Sequence, residues 1–159
     1  MMNVVLLNPE IPPNTGNIGR LTLGTNSRLI IVGQPAFDLS NDAAVKRAGL
    51  DYWADVEVEL YDSWEEYKGA TSGPRFLATK FAPTRYDRAG YQPGSHIIMG
   101  GENKGAPAEV HEDPEVTRVC LPMSGKIRSF NVCNATAVIL FEALRQVSPD
   151  WFEETPYSD

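Results

Sequence analysis

Short runs of consecutive apolar residues recur along the chain, separated by mixed segments that are long enough for helices. The runs lie at residues 4–7, 29–32, 56–60, 76–78, 97–99 and 116–121. Such runs alternating with potential helices are typical of a parallel sheet. The first two runs are apolar at every position, which predicts strands covered on both faces. The pattern therefore predicts an α/β fold: a single domain with a mostly parallel sheet flanked by helices.

The first helix is predicted to begin after Pro12 and Pro13, with Asn14 as its N-terminal cap. One face of this helix is expected to carry Ile18, Leu21, Thr22 and Thr25. Gly16, Gly19 and Gly24 fall inside the same segment. A glycine costs about 1 kcal/mol relative to alanine inside a helix, so we expect close approach of another backbone or of a nucleotide. The alternative is a loop as far as Gly16, followed by a shorter helix.

The last predicted helix is unusually apolar. Between residues 135 and 144 its only charged residue is Glu142, and apolar side chains cover nearly every face. A helix that is apolar all round must be buried all round. A terminal helix of a small domain normally has an exposed side, so we expect a second subunit to cover it.

Length and composition fit one domain of ordinary size. The chain has 159 residues, of which 42% are hydrophobic and 22% charged. We assign residues 1–149 to the domain and residues 150–159 to an acidic C-terminal tail. No segment approaches the roughly 20 apolar residues of a membrane helix. The first residues lack a basic n-region, so a cytoplasmic location is expected.

Cysteine and histidine give no sign of a metal site. Cys120 and Cys133 have no CxxC spacing and are expected to be buried thiols. His96 and His111 fall outside any metal-binding spacing. No metal is assigned.

The formal net charge of −7 argues against indiscriminate binding to nucleic acid. The charges are unevenly placed, however, with acidic stretches at residues 55–66, 109–115 and 150–159. The basic residues considered for a ligand-binding face are Arg20, Arg28, Lys104, Lys126, Arg128 and Arg145. We expect a local basic face on an acidic body; a solvated surface with scattered charge is the alternative.

Two loops are candidates for binding a ligand. Residues 100–105, GGENKG, follow a predicted strand and precede Pro107, a favourable first helical residue. They match neither a P-loop nor a GxGxxG fingerprint. Residues 118–146, RVCLPMSGKIRSFNVCNATAVILFEALRQ, join a strand end, an irregular turn and a helix capped by Asn131 or Ser129. Backbone donors at such a helix start can hold a polar ligand.

Residues 118–146, together with IPPNTGNIGRL at residues 11–21 and IIMGGENKGAP at residues 97–107, resemble the three motifs of the SPOUT class of RNA methyltransferases. The likeness is greatest to the small tRNA (cytidine/uridine-34) 2'-O-methyltransferase family and spans nearly the whole chain. It implies a deep C-terminal trefoil knot, S-adenosylmethionine as cofactor and a homodimer built through the C-terminal helix. The implied reaction is 2'-O-methylation of the tRNA wobble nucleotide, position 34, in the anticodon stem-loop. Alternatives are 2'-O-methylation of rRNA or another tRNA position, or a non-catalytic module that binds the cofactor or RNA.

The resemblance also implies roles for individual residues. Its cofactor contacts fall on Ala78, Thr79, Gly100, Gly101, Glu102, Leu121, Met123 and Ser129. Its catalytic set is Arg20, Asn14, Glu102 and Asn131. Arg20 would lie beside the ribose and phosphate; because arginine stays protonated, we expect it to hold phosphate and stabilise alkoxide charge rather than act as a base.

In the same picture, Asn14 and Glu102 would orient Arg20 or the nucleotide, while Ser129 and Asn131 would form the floor of the site. Plainer alternatives remain: both asparagines are good helix caps, and Glu102 can bond a loop backbone.

The chain departs from the family pattern at two positions. Arg-Ser-Leu-Asn-Leu-Ser appears here as RSFNVC at residues 128–133, so that Cys133 replaces a serine and its hydroxyl is lost. Gly101 stands where proline is frequent. Neither change removes a charged catalytic candidate. Lys126 and Arg128 are expected either to touch phosphate or to face solvent.

Overall fold

A seven-stranded sheet forms the centre of the computed structural model, which describes residues 1–39, 43 and 50–152. The strands are β1 Asn3–Leu7, β2 Arg28–Val32, β3 Val58–Tyr61, β4 Arg75–Ala78, β5 Thr84–Arg85, β6 His96–Met99 and β7 Val116–Cys120. Their spatial order is β3-β2-β1-β6-β4-β7-β5, and every pairing is parallel. This confirms the predicted α/β sheet. The strand predicted at residues 56–60 begins only at Val58, and the two-residue strand β5 escaped prediction.

The helices within the described residues are α1 Pro12–Gly24, α2 Trp64–Ala70, α3 Ala108–His111 and α4 Val132–Val147. Short 3-10 turns lie at Leu50–Asp55, Tyr86–Arg88 and Pro149–Phe152. The last of these covers the start of the predicted acidic tail, and residues 153–159 lie outside the described part. No helix in the described residues has the length and apolarity to cross a membrane.

The sheet has an apolar core on each face. Successive strand residues point to opposite faces, so β1 sends Val4 and Leu6 to one core and Val5 and Leu7 to the other. The first core includes side chains of α1 and α4, and the second includes side chains of α2 and α3. This three-layer arrangement explains the continuous apolar runs of β1 and β2.

Helix α1 begins earlier than predicted. Ile11 is its N-cap and makes no side-chain capping bond, and Pro12 occupies the first turn, where its missing N–H is no loss. Asn14 is therefore a buried residue inside the first turn and not the cap. The alternative of a loop as far as Gly16 is also wrong. The close approach at Gly19 comes from a ring: a Cβ there would lie 2.6 Å from Cζ3 of Trp53.

Helix α4 is capped by Asn131 and not by Ser129. One side of it is in the core, where Ile139 and Leu140 are fully buried. Val138 and Phe141 are 45% and 41% exposed, so this single chain does not cover the helix all round. The two cysteines, predicted to be buried, are free thiols of intermediate exposure.

Candidate functional site

The carboxyl ends of β1, β6, β4 and β7 meet at one edge of the sheet, because these strands are parallel neighbours. The segments that leave them are residues 8–11, 100–107, 79–83 and 121–131. The backbone N–H of Thr79 donates to the carbonyl of Val119, 2.9 Å away, and ties the exit of β4 to β7. The three sequence motifs and the Ala78–Thr79 segment are thus brought to the same edge.

A chain of hydrogen bonds joins the three motifs. Asn14 Nδ2 donates to Glu102 Oε1 at 2.9 Å, and Asn131 Nδ2 donates to Asn14 Oδ1 at 3.2 Å. The second carboxylate oxygen of Glu102 accepts from the backbone N–H of Glu10 at 2.8 Å. Asn14 is only 8% exposed, so its amide is held between two partners in a largely dry environment.

Asn131 has two structural duties. Its Oδ1 accepts from the N–H of Cys133 at 2.9 Å and of Asn134 at 3.4 Å, which caps α4. Its Nδ2 meanwhile bonds Asn14. Asn131 is therefore both the cap of α4 and a member of the candidate site. Its bond to Asn14 fixes the start of α4 relative to α1.

Cys133 preserves a donor where the family pattern has serine. Its Sγ lies 3.3 Å from the carbonyl oxygen of Asn14. Burial, with a smaller contribution from the charge of Glu102, raises the pKa of the thiol to about 11. The sulfur thus stays protonated at neutral pH and can donate to Asn14. The serine hydroxyl is lost, and the thiol supplies a donor in its place.

The glycine-rich loop is packed tightly against protein. A Cβ on Gly100 would lie 2.3 Å from the nitrogen of Ala106, and one on Gly101 would lie 2.9 Å from Oε1 of Glu10. Gly101 and Gly105 also exchange backbone hydrogen bonds of 3.1 and 2.8 Å. These glycines are needed for the closure of the loop itself. Pro107 is the N-cap of α3 and not its first helical residue.

The loop of residues 121–131 is open by comparison. No backbone group of residues 122–130 makes a hydrogen bond to another described residue. Leu121 and Met123 are half-buried, whereas Ser129 is exposed and lies outside the hydrogen-bonded chain. Beneath these hydrogen-bonded residues is a small cavity of about 10 Å³, room for at most one water molecule. A larger ligand would have to bind on the loops above it.

Arg20 stands apart from the other catalytic candidates. It follows Asn14 by six residues on α1, which places it about 9 Å further along the axis and about 120° around it. Its side chain is exposed, and the guanidinium carbon lies 5.6 Å from the centre of the Tyr52 ring. Arg20 has no hydrogen bond or ion pair with the described residues, so Asn14 and Glu102 do not orient it in this chain.

A profile of the SpoU rRNA Methylase family matches residues 1–141. The chain belongs to this family. A protein of Methylovorus glucosotrophus named tRNA (cytidine(34)-2'-O)-methyltransferase is 42% identical over 149 residues, which cover 92% of this chain and 96% of the relative. A solved structure described as giving structural insights into the 2-OH methylation of C/U34 on tRNA has a TM-score of 0.85 and 34% identity, over 92% of this chain and 95% of its own.

The same fold occurs in a more distant structure, an AdoMet-bound rRNA methyltransferase of Sinorhizobium meliloti. It is 23% identical, with a TM-score of 0.82, and the match covers 91% of this chain and 56% of that one. At this identity the likeness concerns the fold alone.

In this SpoU-family chain the four segments that leave β1, β6, β4 and β7 are rich in cations. They contain Lys80, Lys104, Lys126 and Arg128, against the carboxylates Glu10 and Glu102. All four cations are exposed. At the opposite edge, a surface hollow of about 410 Å³ is lined by Lys68, Glu109, Glu112, Asp113, Pro114 and Glu115. A polyanion is attracted to the four exposed cations and repelled from this acidic hollow.

Three features near this SpoU-family site were missed from sequence. They are the hydrogen bond from the N–H of Glu10 to Glu102, the ring of Tyr52 beside Arg20, and Lys80, whose Nζ lies 4.8 Å from the centre of the Phe81 ring. Glu10 immediately precedes the first motif, and that adjacency was the available signal. Nothing in the sequence links Tyr52 to Arg20. Across residues 1–39, 43 and 50–152, no group of three potential metal ligands occurs.

Proposed function

We propose that this protein transfers a methyl group from S-adenosylmethionine to the ribose 2'-hydroxyl of the tRNA wobble nucleotide, cytidine or modified uridine at position 34. The observation that carries the proposal is the 42% identity, over nearly the full length of both chains, to a relative named for that reaction. The convergence of all three motifs on one edge of the sheet supports it. The cytoplasm, where tRNA is used, is the proposed location.

The residues at this edge suit S-adenosylmethionine. Free backbone donors and acceptors of residues 122–130, next to the half-buried side chains of Leu121 and Met123, fit an adenine held mainly by main chain. Ala78, Thr79, Gly100, Gly101, Glu102 and Ser129 complete the proposed binding set. When bound, the cofactor supplies an electrophilic methyl group on a sulfonium. The chain's own task is to hold the ribose oxygen in line, and such positioning can contribute roughly 7–11 kcal/mol.

Each catalytic candidate has a proposed role. Arg20, exposed and permanently charged, binds the substrate phosphate and stabilises charge that develops on the 2'-oxygen, while the proton leaves to phosphate or water. Glu102, Asn14 and Asn131 form a rigid wall that orients the nucleotide, because each already has a fixed hydrogen-bond partner. Such preorganised polar groups need no rearrangement during the reaction.

We infer that residues 1–149 form one domain with a C-terminal trefoil knot. Strand β7 is inserted between β4 and β5, which precede it in the chain, and this order suits a threaded C-terminal segment. We also infer a homodimer through α4. Val138 is 45% exposed on a helix whose other side is packed in the core, and a second copy would cover it.

The test is methyl transfer from labelled S-adenosylmethionine to total tRNA, followed by mapping of the product. Wild-type protein should label the ribose at position 34, and Arg20→Ala should not. Arg28→Ala is the matched control, because Arg28 is also exposed but lies at the start of β2, on the opposite edge of the sheet. Transfer to rRNA alone would support the alternative substrate that the family description names. Cofactor binding without transfer to any RNA would indicate a non-catalytic module.

A further inference from the structure

Phe81 is the most exposed large apolar side chain in the described part of the protein. Its side chain is 73% exposed, compared with 62% for Leu60 and 54% for Met1. It lies in the short segment between β4 and β5. Single exposed apolar side chains are common on protein surfaces, so the exposure of Phe81 acquires meaning only from its place in the fold and its neighbours.

The ring is placed at the site. Strand β4 lies between β6 and β7, so the segment that follows it leaves the sheet between the glycine-rich loop and the loop of residues 121–131. Thr79, two residues before Phe81, is tied to Val119. The N–H of Phe81 in turn donates to Thr79 Oγ1 at 3.4 Å. The ring therefore stands on a segment that follows β4, is anchored to β7 and lies between the two proposed cofactor loops.

A cation accompanies the ring. The Nζ atom of Lys80 lies 4.8 Å from the centre of the Phe81 ring, within cation–π distance. Unpaired nucleotides are bound in this way by many proteins: the base stacks on an exposed aromatic ring while a nearby cation attracts the backbone phosphate. The pair belongs to the four segments that leave β1, β6, β4 and β7, which together hold four cations against two carboxylates.

We propose that Phe81 is a stacking platform for an unpaired base of the RNA substrate, adjacent to the nucleotide that is methylated, with Lys80 beside the neighbouring phosphate. This rests on the proposed function. It adds a substrate requirement that the catalytic set does not contain: an unpaired, unstacked base flanking the target ribose. Phe81 is thus a specificity residue, acting on the substrate and not on the methyl donor.

The test measures binding of a fluorescently labelled anticodon stem-loop to wild type, Phe81→Ala, Phe81→Leu and Phe81→Trp. Because stacking of a base on an aromatic ring contributes strongly to affinity, Phe81→Ala should weaken binding at least about fivefold. Phe81→Trp, which keeps an aromatic ring, should bind about as tightly as wild type. Phe81→Leu, which keeps apolar area without a π-face, should bind as weakly as Phe81→Ala. Leu60→Ala is the control, because Leu60 is also highly exposed but lies on β3, at the far side of the sheet.

Three results would overturn the proposal: equal binding by Phe81→Ala and wild type, full binding by Phe81→Leu, or a changed sedimentation profile of Phe81→Ala, which would mean that a second copy covers the ring. Calorimetric affinity for S-adenosylmethionine should be the same in all variants. If wild type binds the stem-loop in a Phe81-dependent way but methylates no tRNA, stacking stands and the proposed function fails. If wild type methylates tRNA and Phe81→Ala does so equally well, the proposed function stands and the stacking proposal fails.

Discussion

The guanidinium carbon of Arg20 lies 5.6 Å from the centre of the Tyr52 ring, and both side chains are exposed. The ring limits the positions that the long arginine side chain can adopt. We therefore regard Tyr52 as a positioning residue for Arg20. The Arg20 side chain then loses less conformational entropy when it binds phosphate.

Tyr52→Leu should lower kcat/KM for tRNA about threefold to tenfold, from loss of a cation–π contact of about 0.5–1 kcal/mol and of preorganisation. Tyr52→Phe keeps the ring and should restore activity to near the wild-type value. The urea midpoint should stay unchanged in both variants. Equal loss of activity in Tyr52→Phe would point to the hydroxyl instead.

The two duties of Asn131 can be separated by substitution. Asn131→Asp keeps an acceptor for the N–H groups of Cys133 and Asn134 but loses the donor to Asn14. Asn131→Ala loses both and should cost about 1–2 kcal/mol of unfolding free energy from the missing cap alone. In urea denaturation, Asn131→Asp should be more stable than Asn131→Ala. Methyl transfer should fall in both, since the wall with Asn14 and Glu102 is broken.

The tight packing of the glycine-rich loop predicts that alanine substitutions at Gly100 and at Gly69 have different effects on cofactor binding. Gly100→Ala would place Cβ 2.3 Å from the nitrogen of Ala106, so the loop must shift at a cost of about 1–3 kcal/mol. Calorimetry should then show weakened uptake of S-adenosylmethionine. Gly69→Ala in α2 meets nothing within 4 Å and should leave uptake unchanged while stabilising the helix by up to about 1 kcal/mol. Unchanged uptake in Gly100→Ala would exclude this loop from the cofactor site.

A buried histidine makes the stability of the fold sensitive to acid. Burial raises the pKa of Tyr67 to about 12, so its hydroxyl is protonated and donates to His96 Nδ1 at 2.7 Å. His96 Nε2 donates to the carbonyl of Ser72 at 3.0 Å. Burial, aided by the charge of Arg75, lowers the pKa of His96 below its usual range, so the neutral ring is the folded form.

Because the unfolded chain binds a proton at His96 more readily than the folded one, stability from this group is complete above about pH 6.5 and falls as pH drops through the folded pKa. Urea midpoints measured from pH 8 to pH 5 should therefore decrease below about pH 6.5. His96→Gln should remove most of that slope, and His111→Gln should keep it. A wild-type midpoint that stays flat over this range would contradict the assignment.

The α4 interface is tested at Val138. Val138→Glu puts a charge into the proposed contact and should yield folded monomer in sedimentation. Leu140→Glu is unsuitable because Leu140 is fully buried in the core of its own chain and its replacement would unfold the protein. Leu60→Glu, an equally drastic change at an exposed site on β3, should leave the assembly as in wild type. A dimer of unchanged mass in Val138→Glu would remove α4 as the interface.

The sequence was sufficient for β1 and β2, because a short run that is apolar at every position fits a strand covered on both faces, but it left the two-residue strand β5 without a signal. It failed at Asn14. An asparagine after two prolines looks like a cap, but the helix begins at Pro12, with Ile11 as its N-cap. The side-chain amide of Asn14 instead bonds Glu102, 88 residues away. Contacts of that separation follow from the packing of α1 against the loops, which periodicity does not encode.

The resemblance grouped Arg20 with Asn14, yet helix geometry places them on different faces, and the partner of Arg20 is a ring 32 positions later in the chain. A motif records which residues occur together in sequence, whereas the direction of each side chain depends on elements outside the motif. Phe81 was overlooked for a related reason: its exposure can be known only once the surrounding chain is in place.

The exposed cations of the four segments around the site and the acidic hollow at the opposite edge separate charge across this part of the molecule. As the protein nears a tRNA, the field of the phosphates exerts a torque on it that turns the carboxyl edge forward and the acidic hollow away. An acidic protein can in this way meet a polyanion productively, because orientation takes place during diffusion, before any contact is made. Added salt shortens the range of this torque and slows the encounter.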